Sequence, residues 1–296
     1  MSMRAQFART VESLLATNRD LVVLLGDIGV FGFRKAIEQY PDRVVNIGIL
    51  EQSTVSVAAG LAKCDLLPVV HTIAPFLVER AFEQLKIDFG YQRQRGNFVS
   101  VGASYDYASL GCTHHCPGDV ALLQTIPGVE IVVPGTAAEF DALFRATFAD
   151  DHPTYFRLSE RENEQSQAVV FGRANVLQEG GRATVIAVGP TLQHVLAATR
   201  DMDVAVLYYT TIEPFDAGTL RAHIRTPGKV LIVEPFYAGT LAWNVCEACR
   251  PLPLAIDSIG VPRAFLTNYG RAEDHDEAIG LLPAQIRTNL ERLIDA

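Results

Sequence analysis

The chain has little cysteine, a single tryptophan and no run of apolar residues approaching a membrane span, and each shortage narrows what it can be. Its five cysteines, an odd number, suit a reducing compartment better than a disulfide framework. Cys112 and Cys116 bracket His114 and His115, and Cys246 and Cys249 form a C-x-x-C, so zinc has to be weighed. A structural zinc site needs two tight ligand pairs at short separation, whereas the second pair here sits in LAWNVCEACRPL, which reads as an amphipathic helix; the metal reading is set aside. Basic residues are outnumbered, 25 against 34 acidic, for a net charge of −9, which speaks against nucleic acid or an anionic membrane as partner. A phosphorylated substrate would need arginines gathered locally. The opening MSMRAQFARTVESLLATNRD lacks the apolar stretch of a signal peptide, so a cytoplasmic location is expected. No short-period repeat of the solenoid kind is visible.

What is present is a chain of 296 residues, 49% apolar and 20% charged, long enough for two well-buried domains. Apolar strand-like runs at Leu21 to Leu25, Val44 to Ile47, Leu67 to Val70, Asn97 to Val101, Val129 to Val133 and Thr154 to Leu158 alternate with helical patterns such as Phe76 to Phe89 and Thr136 to Phe148. Continuous apolar strands separated by helices predict a parallel sheet covered on both faces. Ser159 to Ser166, SERENEQS, has the composition of a linker. The rhythm then restarts with strands at Ala183 to Val188, Val204 to Leu207, Val230 to Val233 and Leu254 to Ile259, and helices from about Thr191, near Leu241 to Cys249 and over Pro283 to Ile294. The expectation is two doubly wound α/β domains, residues 1–165 and a smaller 166–296.

Ligands in open α/β sheets collect beyond the carboxyl ends of the strands. The first strand ends in Gly26-Asp27-Ile28-Gly29 and the third in His71, while the fourth runs into a loop, Gly102 to Gly118, holding Tyr105, Asp106, Tyr107, Thr113, His114 and His115. A histidine pair in a glycine-bounded loop suits proton transfer or substrate binding, the plain alternative being a cap on the helix near Asp119. The second strand leads, through Gly48, to Glu51 at the start of a small-residue helix. The helix dipole favours its charge, and the neighbours Ile49 and Leu50 suggest a dry setting that opposes it. Local pattern alone favours an acid that only satisfies backbone N–H groups.

Taken together, GDIG (26–29), PDRVVNIGILEQ (41–52), AAGLA (58–62), TIAPFLVERAFEQLK (72–86), GCTHHCPGDVALLQTIPG (111–128) and VPGTAAE (133–139) resemble the pyrimidine-binding domain of the transketolase family of thiamine-diphosphate enzymes. PTYFRLSERE (153–162) resembles the end of that domain, and VGPT (188–191), VEPF (233–236) and IGVPRAFLTNYGRAED (259–274) are similar to the family's C-terminal domain. The resemblance overturns the local reading of Glu51. In the family the matching glutamate meets N1′ of the aminopyrimidine and favours the imino tautomer that deprotonates the thiazolium, which requires a carboxyl in a low-dielectric pocket. It also implies that Phe76 stacks on the pyrimidine, that Asp27 and Ile73 border the cofactor, and that His114 reaches the substrate oxygen, with His71 nearby. Ile73 stands where many members carry a second aromatic, and Leu110 where transketolases proper carry an aspartate that reads a sugar hydroxyl. Arg157 and Arg161 fall where a phosphate-binding arginine is expected, the alternative being a surface pair with Glu160 or Glu162.

The family holds the cofactor's diphosphate and Mg2+ with a Gly-Asp-Gly motif on a separate domain, and no Gly-Asp-Gly occurs here. The resemblance therefore implies the C-terminal half of a split transketolase: an α2β2 assembly with an N-terminal subunit carrying that domain, thiamine diphosphate between unlike chains, and magnesium bound mainly by the partner. The implied reaction moves a two-carbon ketol unit from a sugar phosphate or other ketose to an aldehyde. The alternatives are a 1-deoxy-D-xylulose-5-phosphate synthase-like acyloin condensation, a 2-oxoacid dehydrogenase beta subunit, or a catalytically silent partner-binding paralogue.

Overall fold

The computed structural model describes residues 1–296. Twelve strands build two sheets: β1 (Leu21–Leu25), β2 (Val44–Asn46), β3 (Leu67–Ile73), β4 (Gly96–Val101), β5 (Glu130–Val132), β6 (Pro153–Arg157), β7 (Asn175–Gln178), β8 (Thr184–Val188), β9 (Ala205–Tyr209), β10 (Thr211–Glu213), β11 (Gly228–Tyr237) and β12 (Leu254–Val261). The first sheet runs β10-β5-β6-β4-β3-β1-β2 and the second β12-β11-β8-β9-β7. Strands β1, β3, β4 and β6 are buried along their whole length, as parallel strands covered on both faces must be. Two α/β domains thus form as expected, with one departure in each sheet. Strand β10 joins β5 antiparallel, and β7 joins β9 antiparallel. Because β10 comes from the C-terminal half of the chain, that half completes the edge of the first sheet.

The order of the first sheet reverses between β1 and β3, since the chain steps from β1 outward to β2 and then returns to the other side. At such a switch point the strand ends splay and leave a crevice. Gly26, at the end of β1, faces Thr72 on β3 so closely that an added Cβ would lie 3.1 Å from the threonine Cβ. One continuous core runs through both sheets, joining Val70 and Phe98 of the first to Val188, Leu207 and Phe236 of the second. Buried apolar area of this kind is the main stabilising term, and sharing it locks the two domains together.

The polar segment Ser159 to Ser166 does connect the domains, but it is fixed rather than loose. Glu162 accepts from the backbone N–H of Met3 and of Ala137, both at 2.8 Å, so one carboxylate caps the helices Met3–Thr17 and Ala137–Thr147. Asn163 donates to the Gly189 carbonyl at 3.0 Å, and its own N–H donates to the Gly135 carbonyl at 2.9 Å. No helix of the structure is long and apolar enough to cross a membrane.

Candidate active site

Glu51 opens the helix Glu51–Lys63. Strand β2 delivers the chain to a turn in which Gly48 takes φ 87°, and the helix begins three residues later. Asn46 holds this turn: its side-chain oxygen accepts from the N–H of Asp27 at 2.9 Å and of Gly48 at 3.1 Å, and its amide donates to Asp27 Oδ1 at 3.2 Å. Asp27, itself at φ 66°, therefore serves the loop and stays exposed. Asn46 escaped the sequence reading because an asparagine at a strand end reads as an ordinary turn residue.

The carboxylate is 2% exposed, yet Ile49 and Leu50 are 65% and 57% exposed. The dry setting is thus made by what packs behind Glu51, and the two neighbours expected to provide it turn outward after Gly48. Oε2 accepts from Arg80 Nη1 at 2.8 Å, whereas Oε1 is buried with no hydrogen-bond partner. A buried acceptor with no hydrogen-bond donor on its lone pairs favours any donor that can reach it.

Phe76 and Arg80 come from a segment that follows β3. The stretch Pro75–Arg80 is wound as a π-helix, followed by a short α-turn, Phe82–Gln84, and a second π-helical stretch, Leu85–Tyr91. Such i→i+5 winding is rare and concentrates at functional sites. It sets Arg80 Cζ 4.2 Å from the centre of the Phe76 ring, and His114 meets that ring edge-on with centroids 5.4 Å apart. Tyr107 continues the series, 6.4 Å from His114. Glu51, Phe76 and His114, far apart in sequence, thus lie along one connected set of side chains. Ile73 is buried beside Tyr107, whose ring fills the space above Gly102, so an aromatic from the loop stands next to the position where the chain lacks one.

The loop Gly102 to Gly118 is held by a buried ion pair. Arg157 Nε donates to Asp119 Oδ2 at 2.7 Å, Tyr155 donates to the same oxygen at 2.8 Å, and Arg157 Nη2 donates to Ser104 Oγ at 2.8 Å. Ser104 in turn donates to the Pro235 carbonyl on β11, joining the loop to the second domain. Arg157 is 1% exposed and fully engaged, so it braces the loop; the expectation that it binds a substrate phosphate is corrected. Arg161 also departs from both expectations. It pairs with Asp276 of the helix Ala272–Ile279, lies 3.7 Å from Asp106 and covers the Tyr105 ring at 4.9 Å, which makes it an interdomain clasp and leaves Glu160 and Glu162 aside. Burial raises the Asp106 carboxyl above its usual range although Arg161 opposes the shift.

His71 is a core residue. Its Nδ1 lies 2.8 Å from the Val99 carbonyl, the Phe7 ring is 4.8 Å away, and burial pushes its pKa down to about 4. Gly29, at φ 93°, leaves room for it, since an added Cβ would come within 2.6 Å of the imidazole. The neutral ring faces apolar neighbours, which contradicts a substrate-binding role. His115 is buried against His275, 5.7 Å between rings, and both are held below the usual imidazole range, first by burial. His114, half-buried, is the member of the pair that faces Phe76. Arg4, an exposed arginine with no salt-bridge partner, draws down the pKa values of Tyr107 and Glu160, which burial raises. No sequence signal marked it, because the first helix carries no motif of its own.

Residues 1–165 match the transketolase pyrimidine-binding domain and residues 172–286 the transketolase C-terminal domain. A 33.6 kDa protein of the fasciation locus of Rhodococcoides fascians is 40% identical over 94% of this chain and 90% of its own length. One of the subunits of the apulose-4-phosphate transketolase of Phocaeicola vulgatus is 30% identical over 88% of both chains. Among solved structures, a split-gene transketolase described as an inactive beta4 tetramer superposes with a TM-score of 0.86 at 24% identity, covering 100% of this chain and 98% of its own.

Proposed function

Since the chain belongs to the transketolase family, carrying its pyrimidine-binding and C-terminal domains, we propose that it is the C-terminal subunit of a split transketolase that moves a two-carbon ketol unit from a phosphorylated ketose to an aldehyde. The observation that carries this proposal is Glu51, buried, with one carboxylate oxygen unpartnered, and linked through Arg80 to the ring of a half-buried Phe76. These are the features a thiamine diphosphate pyrimidine needs: a proton-accepting acid in a low-dielectric wall and an aromatic surface to stack on. When bound, that cofactor supplies a nucleophilic carbon and an electron sink for C–C cleavage. Glu51 would hold a proton at the heterocycle nitrogen, Phe76 would orient the ring, and His114, across Phe76, would donate to and accept from a substrate oxygen. Asp27, through Asn46, would fix the turn that aims Glu51, and Ile73 with Tyr107 would close the wall behind. With Arg157 and Arg161 engaged elsewhere, Arg4, exposed and close enough to act on Tyr107 and Glu160, would be a cation for an anionic substrate group.

An N-terminal subunit would grip the diphosphate and Mg2+, in an α2β2 heterotetramer in the cytoplasm. Two things support that division of labour: the Phocaeicola vulgatus relative is named as one subunit of a transketolase, and no Gly-Asp-Gly occurs in this chain. The exposed Ile49, Leu50 and Val57 around the Glu51 helix supply an apolar surface for the contact. We place the boundary between the two domains at 165/166, with β10 returning to the first sheet. The test is co-expression with a chain carrying Gly-Asp-Gly, followed by assay of ketose donors with thiamine diphosphate and magnesium. Turnover that Glu51→Gln abolishes supports the assignment. Equal turnover by both proteins, or turnover of pyruvate but no ketose, refutes it.

A further inference from the structure

We propose that Arg80 is a displaceable occupant of the pyrimidine seat: in the cofactor-free chain its guanidinium holds the place on Glu51 and Phe76 that a flat nitrogen heterocycle takes when the cofactor binds. This rests on the reading of Glu51 and Phe76 given above. The guanidinium is planar, cationic and edged with N–H donors, so it can donate in-plane to a carboxylate while lying face-on to an aromatic ring. Arg80 does both at once, with Nη1 2.8 Å from Glu51 Oε2 and Cζ 4.2 Å from the Phe76 centroid. An aminopyrimidine presents the same combination of edge donor and flat face. The two compete for the Phe76 ring and for the charge of the Glu51 carboxylate, of which Arg80 takes Oε2 and leaves Oε1 open, while His114 meets the ring edge-on.

Arg80 is held far more lightly than Arg157. Arg157 donates to Asp119, Ser104 and the carbonyls of Cys116 and Pro235, and it is almost wholly buried. Arg80 makes a single hydrogen bond, to Glu51, its side chain is 40% exposed, and it leaves Glu51 Oε1 without a partner. It ends the π-helical stretch that begins at Pro75, four residues after Phe76, so a change of rotamer alone lifts it off the ring. In the free chain the pair keeps Glu51 from being a buried charge with no counter-ion, a costly state. On cofactor binding the cation leaves toward solvent. Apparent affinity is then lowered by the fraction of molecules in which the seat is taken.

The experiment uses the assembly with the N-terminal partner and titrates thiamine diphosphate with magnesium by calorimetry into wild type, Arg80→Met, Glu51→Gln and the double variant. Arg80→Met is expected to bind about fivefold tighter than wild type, the effect of removing one partly exposed ion-pair competitor. In the Glu51→Gln background the same substitution should change affinity little, because the competitor has already lost its counter-ion. Weaker or unchanged binding by Arg80→Met overturns the proposal and makes Arg80 a cofactor ligand or a bystander. Thermal unfolding of the same four proteins without cofactor separates this failure from failure of the function itself. Non-additive shifts in Tm, with Glu51→Gln restoring part of what Arg80→Met loses, establish the pair in the free protein; additive shifts overturn it. Should the shifts be coupled while none of the four proteins binds thiamine diphosphate, the seat belongs to another ligand, and the functional assignment and the proposal fall together.

Discussion

Replacing His71 by Phe separates a structural histidine from a substrate ligand through its effect on acid stability. In the folded chain the imidazole is fully buried against Phe7 and Phe33, and its pKa is pushed from 6.5 down to about 4. In the unfolded chain the same ring takes up a proton near its ordinary value. Between these limits the unfolded state binds more protons than the folded one, so stability falls as pH falls through the window. At about pH 5 the His71 share of that loss is about 2 kcal/mol, while at about pH 7.5 it is close to zero. Phe keeps the ring packing and gives up the bond to the Val99 carbonyl, which costs about 1 kcal/mol at neutral pH. Urea unfolding of both proteins at the two pH values gives two stability differences, and groups common to both proteins cancel. The difference should move by about 2 kcal/mol in favour of His71→Phe on going to the acid condition. A difference that does not change with pH would refute the buried neutral imidazole, and a raised KM with unchanged stability would restore His71 to the substrate site.

Arg157→Met leaves the Asp119 carboxylate, 0% exposed, without its counter-ion and should cost about 3 to 5 kcal/mol in denaturant unfolding, with Arg157→Lys recovering part of it. A loss below about 1 kcal/mol would show that the pair does not brace the loop. His114→Gln in the full assembly should lower kcat by about 10² to 10⁴ while leaving thiamine diphosphate affinity unchanged, because His114 meets Phe76 and has no contact with Glu51. Equal loss of cofactor binding would move His114 from the substrate side to the cofactor side. Asp276→Asn leaves Arg161 with the more distant Asp106 and should lower Tm by a few degrees without changing KM for the ketose; a rise in KM would show that the clasp reaches the substrate.

The strands were legible where burial on both faces forces uninterrupted apolar sequence. Leu21–Leu25 stands in the structure with the limits that LVVLL sets. Strands β7 and β10 were not legible: both are short edge strands, β7 is half-exposed, and β10 is three residues whose pairing with β5 depends on the two domains being docked. The helical pattern after β3 was visible, but apolar spacing does not distinguish α from π winding, so the π-helical stretch that carries Phe76 and Arg80 was not legible. Glu51, Phe76 and His114 were singled out through motif order, since local chemistry at Glu51 favoured a plain helix-start acid. Arg161 was misassigned for a physical reason: its partner Asp276 is 115 residues away, and no local pattern reveals a pair made only when two domains close. Ile49 and Leu50 misled in the same way, because the left-handed turn at Gly48 decides which side they face.

The role proposed for Glu51 is to govern proton movement on a heterocycle held between this chain and its partner. The most direct measurement is the rate of hydrogen–deuterium exchange at C2 of thiamine diphosphate bound to the assembled complex, followed by NMR after acid quench. The rate in wild type should exceed that in Glu51→Gln by about 10² to 10⁴, with cofactor occupancy equal in both samples. Equal exchange rates at equal occupancy would rule out that role for Glu51.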